Sequence, residues 1–90
     1  MAGVIEVLVP TPLQSYTGGR SRVAACGDTL GALLADIERQ YPGFRFRMID
    51  EQGRVRRNMR IFVNGRGVFD LALPLGDGDD VAIVQALSGG

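Results

Sequence analysis

The residues with the clearest capacity for chemistry stand at the end of the chain, which closes Ser88-Gly89-Gly90. A terminal carboxylate has a reference pKa near ~3.5, so it is an anion at neutral pH and a poor electrophile until something activates it. Two glycines in front of that carboxylate carry no Cβ, so the backbone there can approach another surface closely and the terminal carbonyl stays open to attack. From Leu87 to Gly90 the chain reaches roughly 13 Å when extended at ~3.3 Å per residue. The bland alternative for Gly89-Gly90 is a frayed end with no role.

The other reactive side chains are few. The 90 residues contain no His and a single cysteine, Cys26. A His- or Cys-based zinc site and a Ser-His-Asp triad are therefore excluded, and so is an internal disulfide. Cys26 is expected as a small apolar residue at a strand end rather than as a sulfur relay. With one thiol and no disulfide, a cytoplasmic setting is expected. Asp77-Gly78-Asp79 matches a fragment of a calcium loop but lacks the remaining ligand ladder, so a tight turn is the better reading. A chain so poor in catalytic groups is expected not to be an enzyme.

Charge is balanced overall but not along the sequence. Ten Arg oppose ten Asp and Glu, with no lysine, for a formal net charge of zero. That balance excludes a strongly basic nucleic-acid arm and an acidic tail. Arg45, Arg47, Arg54, Arg56, Arg57 and Arg60 crowd one stretch, while Asp70, Asp77, Asp79 and Asp80 lie later. The molecule is expected to be dipolar and to suit an acidic partner. Phe44 and Phe46 among those arginines raise RNA stacking as one option. The preferred reading is a solvated edge with both aromatics anchored in the core, and no nucleic-acid partner. Without lysine, Gly90 cannot be joined to an ε-amine of its own chain.

The elements that must present these residues follow from periodicity. A hydrophobic fraction of 46% in 90 residues supports one globular domain. The apolar runs are too short for a membrane span, and Met1-Ala2-Gly3 lacks the charged start of a signal peptide. Val4 to Val9 is apolar and β-branched and is stopped by Pro10 and Pro12, so a strand is predicted. Thr17-Gly18-Gly19-Arg20 predicts a turn, and Arg20 to Cys26 a return strand. Asp28 or Thr29 can cap a helix, and Leu30, Leu33, Leu34, Ile37 and Tyr41 fall on one face of it. Pro42-Gly43 ends that helix. Phe44-Arg45-Phe46-Arg47 alternates in the manner of a strand, and Asp50 to Gly53 resembles a turn. Met59 to Val63 predicts a strand with a tight Asn64-Gly65 turn after it, Val68-Phe69 a short one, and Val81 to Val84 the last. The order is β-β-α-β-β, with the first and last strands parallel at the sheet centre and the helix across one face.

That order, with the Gly-Gly end, resembles the ubiquitin-like β-grasp proteins, and among them the MoaD/ThiS sulfur-carrier family. The matching pieces are Pro10-Thr11, Thr17-Gly18-Gly19, Gly27-Asp28-Thr29-Leu30, Val63-Asn64, Leu75 to Val81 and Gly89-Gly90. The Pro-Thr and Thr-Gly-Gly segments look most like the branch that supplies sulfur to a cysteine synthase. The resemblance implies an α+β fold, a mixed sheet of four to five strands with one main helix packed on one face. It also implies a β-grasp domain over residues 1–86 and a flexible Gly-Gly tail over 87–90.

The resemblance further implies a protein co-substrate that binds no cofactor itself. A separate adenylating enzyme of the ubiquitin-activating type, using ATP and Mg²⁺, would turn the Gly90 carboxylate into a mixed anhydride with AMP and then into a thiocarboxylate. The sulfur would pass to an acceptor enzyme such as cysteine synthase or the large subunit of molybdopterin synthase. Gly90 is then the attachment point and Gly89 gives access. Phe62, Ala82, Val84 and Leu87 are the candidate docking residues: if Ile61, Val63, Val81 and Ile83 face the helix, then Phe62, Ala82 and Val84 face outward. The same activation would also serve a modifier joined through Gly90 to lysines of other proteins. A β-grasp binding module without tail chemistry is the third reading.

Overall fold

The alternation of the first and last strands is what builds the centre of the molecule. In the computed structural model, which describes residues 3–86, strand β1 (Val4–Leu8) turns Ile5 and Val7 inward and Val4, Glu6 and Leu8 outward. Strand β5 (Asp80–Gln85) does the same with Val81 and Ile83 inward. The two pair in parallel, Val7 opposite Val81 and Leu8 opposite Ala82. Strand β2 (Arg22–Cys26) adds antiparallel to β1. Strand β3 (Met59–Val63) adds antiparallel to β5, and β4 (Arg66–Val68) follows β3 through the Asn64-Gly65 turn. Asn64 and Gly65 both take positive φ, 52° and 83°, which matches the right-handed strand twist of a two-residue hairpin turn. The sheet order is β2-β1-β5-β3-β4, so the expected mixed sheet of four to five strands, with parallel central strands, forms with five.

Helix α1 (Leu30–Gln40) covers one face. Thr29 caps it, its hydroxyl accepting the Ala32 N–H at 3.1 Å. Leu30, Leu33, Leu34 and Ile37 are fully buried against Ile5, Val7, Ile61, Val81 and Ile83 in one apolar cluster. Gly27 lets this happen. A Cβ built there would stand 2.3 Å from the Leu33 nitrogen, so only glycine allows the end of β2 to lie that close to α1.

Three expectations need correction. Phe44 to Arg47 is not a strand: Phe44–Met48 is a second short helix, α2. Gly43, at φ 94°, turns the chain straight out of α1. The Glu38 carboxylate then accepts the N–H groups of Gly43 and Arg45 at 3.0 and 2.9 Å, satisfying the start of α2. Period two puts Phe44 and Phe46 on one face, whereas a helix pairs Phe44 with Met48, and those two are the buried residues. Phe46 is accordingly no core anchor; it is 56% exposed. Cys26 ends β2 as expected but points outward and is exposed, while Ala25 faces the core. A 3₁₀ turn over Thr11–Tyr16, which the sequence reading left out, fills the β1–β2 connection and buries Leu13.

Candidate functional site

The sheet has one covered and one open face, and the open face carries the candidate docking residues. Phe62, Ala82 and Val84 all lie on it, because their neighbours Ile61, Val63, Val81 and Ile83 are buried under the helices. Register sets their mutual positions. Ala82 stands opposite Phe62 on one side and Leu8 on the other, so Leu8, Ala82 and Phe62 form an apolar row across β1, β5 and β3. Val84, 41% exposed, is one step further along β5 and stands opposite Arg60. Phe62 is half-buried because its ring lies against the backbone of Gly67, whose absent Cβ would sit 3.6 Å from the ring.

Leu8 was missed in the sequence reading. The signal was present: it shares the outward face of β1 with Val4 and Glu6 by simple alternation, and it is 42% exposed. The row has charged neighbours on both sides. Toward the β1 start stand Glu6 and Asp80, opposite each other, with Glu6 also 2.6 Å from Arg22. Toward the end of β5 stands Arg60.

The end of β5 is tied down. Ala86 donates its N–H to the Asn58 carbonyl at 2.7 Å. Beside it runs a groove of about 490 Å³ lined by Leu8, Pro10, Thr11, Val84, Gln85 and Ala86. The apolar row and this groove are therefore continuous through Leu8 and Val84. Leu87, Gly89 and Gly90 lie outside the described residues, as does the expected tail over 87–90.

The acidic turn before β5 is a structural knot. The Asp79 carboxylate accepts the Gly76 N–H at 2.9 Å and the Asn64 side-chain amide at 3.1 Å. These bonds, the Gly76 N–H first, hold the Asp79 carboxyl below its ordinary range. Asn64 in turn accepts the Asp80 N–H at 2.9 Å. The turn 76–80 is thus pinned to the β3–β4 hairpin, and that fixes the register of β5 where the apolar row begins. Among the described residues no group of three His, Cys, Asp or Glu side chains comes together to hold a metal ion. Nor is any described helix long and apolar enough to cross a membrane.

Comparison with known proteins agrees with this architecture over its full extent. The sulfur carrier protein CysO of Mycobacterium tuberculosis (strain ATCC 25618 / H37Rv) is 41% identical over 91 residues, spanning 96% of this chain and 98% of that protein. The crystal structure of M. tuberculosis CysO superposes with a TM-score of 0.88 at 40% identity, covering 92% of this chain and 99% of the other. A chain of the Amycolatopsis orientalis BexX/CysO complex also gives a TM-score of 0.88, at 31% identity over 96% of this chain and 99% of its own. Small archaeal modifier protein 3 of Haloferax volcanii is 37% identical over 65 residues, 69% of this chain and 70% of that protein. The sequence model of the ThiS family matches residues 7–90, from inside β1 through the final glycine, and the chain belongs to that family.

Proposed function

We propose that this chain is a sulfur carrier: a protein co-substrate, not a catalyst, that delivers its own C-terminus to other enzymes in the cytoplasm. The observation that carries the reading is the near full-length similarity to CysO, a sulfur carrier protein, together with a family match that runs through Gly90. The chemistry at Gly90 follows from its carboxylate. An adenylating enzyme of the ubiquitin-activating type joins the carboxylate oxygen to the α-phosphorus of ATP, with Mg²⁺, and pyrophosphate leaves. A sulfur nucleophile then attacks the acyl carbon and AMP leaves with the bonding pair, so that one oxygen of the carboxylate is exchanged for sulfur. Gly89 has no Cβ to obstruct that attack. ATP and Mg²⁺ belong to the activating enzyme; the carrier brings the acyl group.

The folded body supplies recognition. The row Leu8, Ala82, Phe62 with Val84 is the docking face of this reading, and Leu87, outside the described residues, is its further candidate contact. Ordering the tail costs roughly 1–2 kcal/mol per residue, so affinity must come from a surface that is already rigid. A central sheet row answers that need. The thiocarboxylate then passes its sulfur to an acceptor enzyme, a cysteine synthase in the branch that this sequence most resembles.

The decisive experiment incubates the purified chain with adenylating enzymes of the ubiquitin-activating type, ATP, Mg²⁺ and sulfide, and follows intact mass. Exchange of one oxygen for sulfur at Gly90 is expected; its absence with every such enzyme ends the proposal. The similarity to small archaeal modifier protein 3 favours a second reading, a modifier joined through Gly90 to lysines of other proteins. Gly-Gly remnants on other proteins from the producing cell, traced to this chain, separate that reading from the first.

A further inference from the structure

The sequence concentrates positive charge in a stretch where acids are outnumbered and no described arginine closes an ion pair. Six arginines lie between positions 45 and 60 against only Asp50 and Glu51 in that stretch. The ion pairs among the described residues are Arg22–Glu6 and Arg39–Asp36, and both lie elsewhere. The guanidinium groups of Arg56 and Arg60 rest instead on backbone oxygens and an aromatic ring, and that of Arg54 on the Gln52 side chain. Arg56 donates to the Phe46 carbonyl at 2.6 Å and stacks 4.5 Å from the centroid of the Phe46 ring. Arg60 donates to the carbonyls of Arg57 and Met59 at 2.7 and 2.8 Å. These contacts orient the groups without neutralising them. Arg47 and Arg57 are exposed. Of these arginines, Arg47 and Arg56 line a concavity of about 300 Å³, together with Phe46, Glu51, Asn58 and Gln85.

Its position matters as much as its charge. Gln85 is the last residue of β5, and the Asn58 carbonyl holds the Ala86 N–H. The concavity therefore adjoins the point where the described chain ends and shares Asn58 and Gln85 with the groove that holds Pro10 and Leu8. We propose that this arginine face is a second docking surface, which takes an acidic, Asp- and Glu-bearing segment of a partner protein lying beside the exit of the C-terminal residues. Arginine forks match carboxylates two bonds at a time, and a guanidinium already seated on a ring or a carbonyl loses little freedom when it binds. A partner that grips both faces fixes the rotation of the domain about the exiting chain, which the apolar row alone leaves loose.

A nucleic acid fits the same face less well. Phosphate binding draws its strength from many cationic contacts along a strand. Here Arg47 and Arg56 are the cations lining the concavity, too few to track a strand, and one face of Phe46 is already covered by Arg56. The inference does not depend on the fate of Gly90, since it concerns binding alone.

The test titrates the full-length, isotope-labelled chain with a short Glu/Asp-rich peptide at low salt and follows amide resonances. Shifts are expected at Arg47, Arg56, Arg57, Asn58 and Gln85, fading as salt is added. The Arg47→Glu, Arg56→Glu double variant, folded by its amide dispersion, is expected to bind roughly tenfold more weakly. Arg66→Glu, a charge reversal on β4 at the far end of β3, serves as the control and is expected to bind as the wild type does. Equal weakening in that control, or shifts centred elsewhere, overturns the proposal in favour of diffuse charge attraction. Tighter binding of single-stranded RNA than of a peptide of equal charge overturns it in favour of a nucleic-acid surface.

Discussion

Asp36 on helix α1 accepts the backbone N–H of Cys26 on edge strand β2 at 2.9 Å. Gln40, one turn later, donates to the Ala24 carbonyl of the same strand at 3.0 Å and to Asp36 at 3.2 Å. The helix therefore closes an edge that otherwise offers unpaired groups to another chain. Arg39 and the Cys26 N–H, in that order, hold the Asp36 carboxyl below its ordinary value of 3.8. A carboxylate depressed in the folded state adds stability above its unfolded pKa and loses it as pH falls through the folded value. Asp36→Asn is expected to cost about 1 kcal/mol at pH 7, with Arg39 adding little because its side chain is 77% exposed. The gap between wild type and variant is expected to close below pH 3.8. Urea unfolding at pH 7 and across the acid range checks both parts.

Gly27 gives a sharper stability prediction. Its missing Cβ would stand 2.3 Å from the Leu33 nitrogen and 2.7 Å from the Leu33 Cα, both backbone atoms that cannot swing aside. Gly27→Ala is expected to push α1 off the sheet and to cost about 1–3 kcal/mol. Gly76→Ala, with no neighbour within 4 Å of its Cβ position, is the matched control. Thermal melting of the two variants separates close approach from a general effect of losing a glycine.

Much of this was readable before any coordinates. The spacing of Leu30, Leu33, Leu34 and Ile37 names the core face of α1, and all four are fully buried. The parallel pairing of β1 with β5 followed from the element order and the handedness of crossovers. Phe44 to Met48 was not readable as a helix, because in five residues Phe44, Phe46 and Met48 satisfy period two while Phe44 and Met48 also satisfy the i, i+4 spacing of a helix. What decides it is tertiary: the Glu38 carboxylate, from another helix, caps α2. The row Leu8, Ala82, Phe62 was half legible. Alternation gives each residue its face, but only register places Leu8 beside Ala82, and register is pinned by the Asn64–Asp79 contact, whose residues are distant in sequence.

The docking reading of the open face predicts a separation between activation and stability. Val84→Asp puts a charge on a residue 41% exposed, so the fold is expected to change by no more than about 0.5 kcal/mol. A charge in the middle of an apolar contact is expected to lower the rate of Gly90 activation by roughly tenfold or more. Leu8→Asp, across the same groove, should behave alike. Unfolding by either variant would make these residues core, and full activity in both would move the contact elsewhere.

The tail offers the last test, because its requirement is steric and not one of stability. Gly89 precedes the reacting carboxylate by one residue. If the terminal carbonyl must enter a narrow channel, a branched side chain at that position obstructs both the approach of the backbone and the line of attack on the acyl carbon. Gly89 lies outside the described residues, and none of the described core or sheet contacts involves it. Gly89→Val is therefore expected to melt as the wild type does and to lose roughly 10²-fold or more in sulfur exchange, the scale set by misplacing a reacting centre by about 1 Å. Gly89→Ala should fall between the two. Intact mass after incubation with the activating enzyme, ATP and sulfide reads the exchange directly. A valine variant that exchanges as fast as the wild type shows that the carboxylate is reached without a close fit, and the role assigned to Gly89 then fails.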